Sequence, residues 1–251
     1  MRTAARTGGF VALLAAVLGG AWAVGAAARP AHPGSPAATV TLATRTAELA
    51  RGVPGDYTFA LTGPVDGPPR LTVVRRDAAV LGHAVPAAGP DGLWHAPLTL
   101  PEPGPYRVVV AVTAGGVPRD LAADLVVPGP FVPQPPTPSR VAEVDGYQVR
   151  LDGDLVPGTP GQVFATVSRG GAPVTDLEPV DGAFGRLDAV RTGDLALARI
   201  RPDAVPPAPQ DRAGPGTAFT AEVPTAGTYR LFLGFRHGGA LRTAVFTVPT
   251  G

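Results

Sequence analysis

Two hydrophobic textures divide the chain. From Gly8 to Ala28 it runs 21 residues without a charge, through Phe10, Val11, Leu13, Leu14, Val17, Leu18 and Trp22. Beyond residue 30 the apolar residues come instead in short runs rich in Val, Leu, Thr, Tyr and Phe, broken about every ten positions by turn residues. Helical periodicity is absent from this second part, so the pattern predicts many short strands joined by tight turns.

The first texture predicts an N-terminal apolar helix that directs export. Arg2 and Arg6 precede it and Arg29-Pro30 follows. A positive flank ahead of an apolar run leaves the remainder of the chain outside the cytoplasm. Residues 1–30 are therefore expected to be a signal peptide or a membrane anchor. Ala21-Trp22-Ala23 and Ala26-Ala27-Ala28 both fit a small-x-small cleavage site, while the whole stretch is just long enough to cross a bilayer. Uncleaved, it makes the membrane a partner; either way the expected location is extracytoplasmic. Residues 31–38, with His32, read as a flexible tether.

The second texture repeats itself. Pro101-Glu102-Pro103-Gly104-Pro105-Tyr106-Arg107 and Pro224-Thr225-Ala226-Gly227-Thr228-Tyr229-Arg230 share Pro-x-x-Gly-x-Tyr-Arg, and a glycine pair follows each at the same distance, Gly115-Gly116 and Gly238-Gly239. A last strand closed by proline comes next, Leu121 to Val127 or Thr243 to Val248. Upstream, Arg70-Leu71-Thr72-Val73-Val74-Arg75 answers Arg186-Leu187-Asp188-Ala189-Val190-Arg191, and Pro54-Gly55 with Phe59 answers Pro160-Gly161 with Phe164.

Two copies of such a unit predict an all-β protein of two tandem immunoglobulin-like β-sandwiches, residues 39–128 and 141–251. In each, the motif tyrosine should turn its ring inward and find a backbone partner for its hydroxyl. Between them residues 129–140, which include Pro130, Pro133, Pro135, Pro136 and Pro138, favour extended polyproline structure and read as a semi-rigid spacer.

Composition narrows the chemistry. No cysteine is present, so disulfides, thiolate metal sites and thiol nucleophiles are excluded. The net charge is +1, and the basic residues, every one an arginine, are dispersed among 20 acids, which gives no nucleic-acid footprint. No catalytic motif is visible, and Ser35, Ser139 and Ser168 have no base near them in sequence. A non-enzymatic interaction or accessory protein, without a cofactor, is the leading expectation.

One hairpin stands out in the second unit. Phe184 to Val190 and Leu195 to Arg201 flank Arg191-Thr192-Gly193-Asp194, which predicts a turn on the two-residue loop Thr192-Gly193. That register puts Val190 opposite Leu195 and Arg186 opposite Arg199, with Arg201 further along the same face. Three guanidinium groups gathered in this way call for carboxylates, full solvation or a bound anion, and Arg186, Arg199 and Arg201 form the candidate anion or partner site. The first unit has Arg70, His83, Val85 and Pro86 at a constant offset of 116. A copper-type metal-handling role is the alternative reading, with His83, His95 and His237 as candidate ligands, beside the N-terminal amine and His32 after cleavage.

The stretch from Leu177-Glu178-Pro179 to Pro202, with Pro224 to Gly239, resembles a family of actinobacterial exported proteins with tandem β-sandwich modules, similar to the YtkA-like domain. The resemblance implies a second-unit hairpin of Gly-His-Leu, a Gly-Asp-Leu-Ala turn and His-x-His-Pro, forming a histidine cluster able to hold a transition metal. Gly185 and Gly193-Asp194-Leu195-Ala196 match, but the histidine positions are Arg186, Arg199 and Arg201. Arginine keeps its proton at accessible pH and has no lone pair to give a metal, so this copy is expected to be metal-free.

Overall fold

A computed structural model of the chain describes residues 39–251. The expected export segment and tether lie outside the described residues. Within them every regular element is a strand. The first half holds β1 (Thr41–Thr44), β2 (Gly55–Thr62), β3 (Arg70–Arg75), β4 (Leu81–Ala84), β5 (Ala87–Ala88), β6 (Trp94–Leu98), β7 (Gly104–Ala114) and β8 (Val117–Val127). These strands make two antiparallel sheets, ordered β1-β2-β6-β5 and β4-β3-β7-β8.

The second half holds β9 (Val141–Val144), β10 (Tyr147–Asp152), β11 (Gly161–Arg169), β12 (Ala172–Pro173), β13 (Arg186–Arg191), β14 (Arg199–Pro202), β15 (Gly216–Glu222), β16 (Thr228–His237) and β17 (Ala240–Pro249). Its sheets run β14-β15-β11-β10-β9, with β12 beside β11, and β13-β16-β17. The path β1-β2-β6-β5 thus recurs as β10-β11-β15-β14, and β3-β7-β8 recurs as β13-β16-β17. The architecture is all-β: two tandem immunoglobulin-like sandwiches that share these strand paths and differ in that β4 pairs β3 in the first while β13 is an edge strand in the second.

Each sandwich is held by residues alternating inward from both of its sheets. Tyr57, Phe59, Leu71, Val73, Tyr106, Val108 and Val110 fill the first core. Val149, Leu151, Val163, Ala165, Phe219, Leu231, Leu233 and Phe246 fill the second.

Phe164, read from the sequence as the counterpart of Phe59, is a correction. With Gly161 aligned to Gly55, Ala165 takes the place of Phe59. The one-residue slip sends Phe164 to the outer face, 44 % exposed, while Phe59 is fully buried.

The repeated motif has a common physical basis. Gly104 and Gly227 carry φ of +131° and +150°, which only glycine tolerates readily, and a Cβ on Gly104 would lie 2.5 Å from the Phe131 ring. This bend turns the chain so that the tyrosine two residues on dives into the core. Tyr106 Oη donates to Glu102 O at 2.7 Å and Tyr229 Oη to Thr225 O at 2.8 Å. The glycine pairs close the β7–β8 and β16–β17 hairpins, with both residues left-handed in each.

The proline-rich segment between the sandwiches is fastened rather than free. Phe131 lies under the Arg75 guanidinium, 5.7 Å from ring centroid to Cζ, and Gln134 N donates to Asp77 Oδ2 at 3.0 Å. Arg75 and Asp77 are themselves a buried bidentate pair at 2.9 Å in both contacts.

Candidate functional site

The site of interest is the junction between the sandwiches. Strand β3 buries both faces at its end, since Val73 points into its own core while Val74 is fully buried on the other side. Strand β13 does the same with Ala189 and Val190. The outward residues meet in a third apolar cluster, in which Val74, Ala78 and Leu81 of the first sandwich pack with Val190, Leu195, Leu197, Phe232 and Val245 of the second. Val74 and Val190, like Leu81 and Leu197, stand 116 positions apart. Equivalent hairpins of the two copies therefore face each other.

The two turns are built alike. Arg75 N donates to Val80 O and Arg191 N to Ala196 O, each enclosing four residues. In each, the arginine pairs with an aspartate inside the turn, Asp77 or Asp194. The hydrogen bonds from Arg191 and from the Ala196 amide hold the Asp194 carboxyl down at about 2. In each, one non-glycine residue is left-handed and buried in the shared cluster, Ala78 at φ 54° and Leu195 at φ 61°.

That geometry corrects the predicted hairpin. The turn encloses Thr192 to Leu195 rather than two residues, and Val190 lies opposite Leu197 instead of Leu195. Beyond Ala198 the chain no longer pairs with β13. Strand β14 joins the other sheet, with Arg199 opposite Glu222 and Arg201 opposite Thr220 on β15.

Arg186 and Arg199 consequently do not stand opposite each other on one hairpin. Arg186 on β13 pairs with Asp181 at 2.6 Å and with Asp188 at 3.2 Å. Arg201 pairs with Glu222. Arg199 has no ion-pair partner among the described residues, and it lines a cleft of about 660 Å³ between the sandwiches. The facing wall comes from the first sandwich, where Arg119 lies on β8.

The histidines occupy three separate places. His83 on β4 reaches across the junction, its Nε2 3.0 Å from Asp188 Oδ2 and its Nδ1 3.3 Å from Thr72 Oγ1. His95 on β6 lies between two carboxylates, Asp56 at 2.6 Å and Asp91 at 3.1 Å, which hold the imidazole above its ordinary value. His237 at the end of β16 has Nδ1 2.7 Å from the Tyr147 hydroxyl and Nε2 2.9 Å from Asp176. In all three rings both nitrogens are engaged, and a metal ligand must offer a free lone pair. No three histidine or acidic side chains converge as a metal cage among the described residues.

One family model matches, described as Domain of unknown function (DUF8832), over residues 142–251. It spans the second sandwich. No curated protein matches the chain. Among solved structures, a marsupial T cell receptor is 9 % identical, with 85 % of this chain and 100 % of that chain covered at a TM-score of 0.27. A chimeric titin Z1Z2 functionalized with an exogenous peptide from decorin is 13 % identical, covering 85 % and 96 % at 0.25. A Salmonella alpha-2-macroglobulin mutant is 16 % identical, covering 87 % and 15 % at 0.27.

The matched segment contributes Asp188, Leu195, Phe232 and Arg199 to the junction, and the first sandwich contributes His83, Ala78 and Arg119. Sequence reading missed Asp188 as the partner of His83 and missed Arg119 entirely. The constant offset of 116 was the signal that could have pointed to the facing hairpins, because it makes Val74 and Val190 the same position on two copies.

Proposed function

We propose that the chain is a non-enzymatic interaction or accessory protein that works at the outer face of a membrane. The observation that carries this reading is the junction. An apolar cluster drawn from both sandwiches, a His83–Asp188 contact and a hydrogen bond from Arg230 Nε to Ala78 O at 3.3 Å join two modules into one unit with a composite surface. A binding protein benefits from such fixed geometry, because little ordering entropy is lost when a partner spans both modules.

The uncharged stretch from Gly8 to Ala28 behind Arg2 and Arg6 supports the location. The likeness of the second hairpin to YtkA-like exported proteins supports a lineage in which histidine ligands have given way to arginine. A copper-type role is less well supported, since His83, His95 and His237 are committed to separate partners.

Two measurements test the reading. A reporter enzyme that matures only outside the cytoplasm, fused after Gly251, should be active in intact cells, and an inactive reporter on a cytosolic chain would remove the location. A photocrosslinking residue placed at Val85 or Val205, both largely exposed, should yield a discrete adduct with another protein in living cells. Failure to form one at either position would argue against the interaction role.

A further inference from the structure

The cleft between the sandwiches has an unusual electrical composition. Arg119 and Arg199 line it from opposite modules, together with Asp120 and Glu222. Glu222 is already neutralised by Arg201, whereas neither Arg119 nor Arg199 has an ion-pair partner among the described residues. The Nε of Arg119 is buried without any hydrogen-bond acceptor. That nitrogen is closed to solvent, so an incoming oxygen would be held by the charge and the remaining N–H groups of Arg119 and Arg199, neither of which is committed to a carboxylate.

Leu197, Ala198 and three prolines give the remaining walls their apolar surface, with Thr159 beside them. Prolines from β8, from the loop before β11 and from the segment after β15 offer no amide that could pair strands across the gap. The volume of about 660 Å³ is that of a site for a small organic ligand or a short stretch of extended chain.

We infer that this cleft binds a carboxylate carried on an apolar body, the carboxylate between Arg119 and Arg199 and the body against Leu197 and the prolines that line the cleft. Counting Arg201, three guanidinium groups face two carboxylates, so the surplus is one positive charge. A monoanion completes that balance, while a phosphate of higher charge would meet Asp120 and Glu222. The inference goes beyond the function proposed above and stands whether or not the chain is exported. The ligand's source is either a free small carboxylate or the carboxyl terminus of a peptide.

The test is fluorescence anisotropy on the full chain in lipid nanodiscs, with empty nanodiscs subtracted. The probe is a labelled apolar pentapeptide with a free terminal carboxylate, compared with the same peptide as its terminal amide and with unlabelled hexanoate as competitor. Saturable binding is expected, weakened about tenfold by Arg199→Gln, by Arg119→Gln and by amidation. Displacement by hexanoate assigns a small carboxylate as sufficient; saturable peptide binding that hexanoate fails to displace assigns a peptide terminus, and both support the inference. Arg199 makes no ion pair among the described residues, so Arg199→Gln should melt with the parent chain and carries the test even where Arg119→Gln is destabilised. No saturable binding at about 1 mM protein, or equal binding by the amide or by Arg199→Gln, overturns it.

Discussion

His83 of the first sandwich and Asp188 of the second are hydrogen-bonded, Nε2 to Oδ2 at 3.0 Å, across 105 residues of sequence. Position 188 corresponds to Thr72 in the first copy, and Thr72 is the other partner of His83. The histidine therefore touches one site twice, once in its own module and once in its neighbour. Asp188 also accepts from Arg186, so a chain of polar contacts runs from Thr72 to Asp181 around the apolar cluster.

Because His83 and Asp188 are about three-quarters buried, the contact should stabilise the junction more than an exposed pair does. Replacing His83→Ala or Asp188→Asn should each cost about 1 kcal/mol in urea unfolding, and the double variant should cost less than the two added. Strictly additive losses would show that the two residues do not act together.

Leu195 provides a sharper prediction, because its backbone and its side chain pull in opposite directions. The left-handed φ of 61° favours glycine, yet the side chain is buried in the shared cluster. Leu195→Ala should destabilise by about 2–4 kcal/mol through the cavity it leaves. Leu195→Gly removes the Cβ as well but relaxes the backbone, and should be more stable than Leu195→Ala by about 1 kcal/mol. In an ordinary strand that order is reversed, so the reversed order measured by thermal melting would show that the turn is not held as described.

The strands and the two tyrosines were legible in the sequence because they depend on local signals. Pro-x-x-Gly-x-Tyr-Arg fixes a bend, an inward ring and a backbone partner within seven residues, and the glycine pairs fix tight hairpins. The arginine site was not legible, for a physical reason. Pairing rules followed outward from Arg191 assume that both strands stay in one sheet, whereas β14 pairs with β15 after Ala198, so Arg199 is not paired with Arg186. Nor does Val74 look different from Val73 in sequence; only the packing of a second hairpin explains why both are buried.

The tyrosine hydroxyls can be weighed directly. Tyr106→Phe and Tyr229→Phe keep the buried ring and remove a single hydrogen bond to Glu102 O or Thr225 O. Each should cost about 1 kcal/mol, with an unchanged dependence on urea concentration because no additional surface is exposed. A loss near zero at both positions would mean that the repeated tyrosine is retained for its ring alone.

His95 makes the protein's response to pH testable at a single exposed group. Asp56 faces one ring nitrogen and Asp91 the other, and the hydrogen bonds that these carboxylates accept raise the imidazole above 6.5. A group raised on folding binds its proton more tightly in the native chain than in the unfolded one. Its contribution to stability is therefore fully present below about 6.5 and fades as pH climbs through the raised native value. Titration of the imidazole by NMR should give a midpoint above 6.5 in the parent chain, moving downward in Asp56→Asn and again when Asp91→Asn is added. A midpoint at or below 6.5 in the parent, or one indifferent to Asp56→Asn, would show that the two carboxylates do not hold the ring in solution.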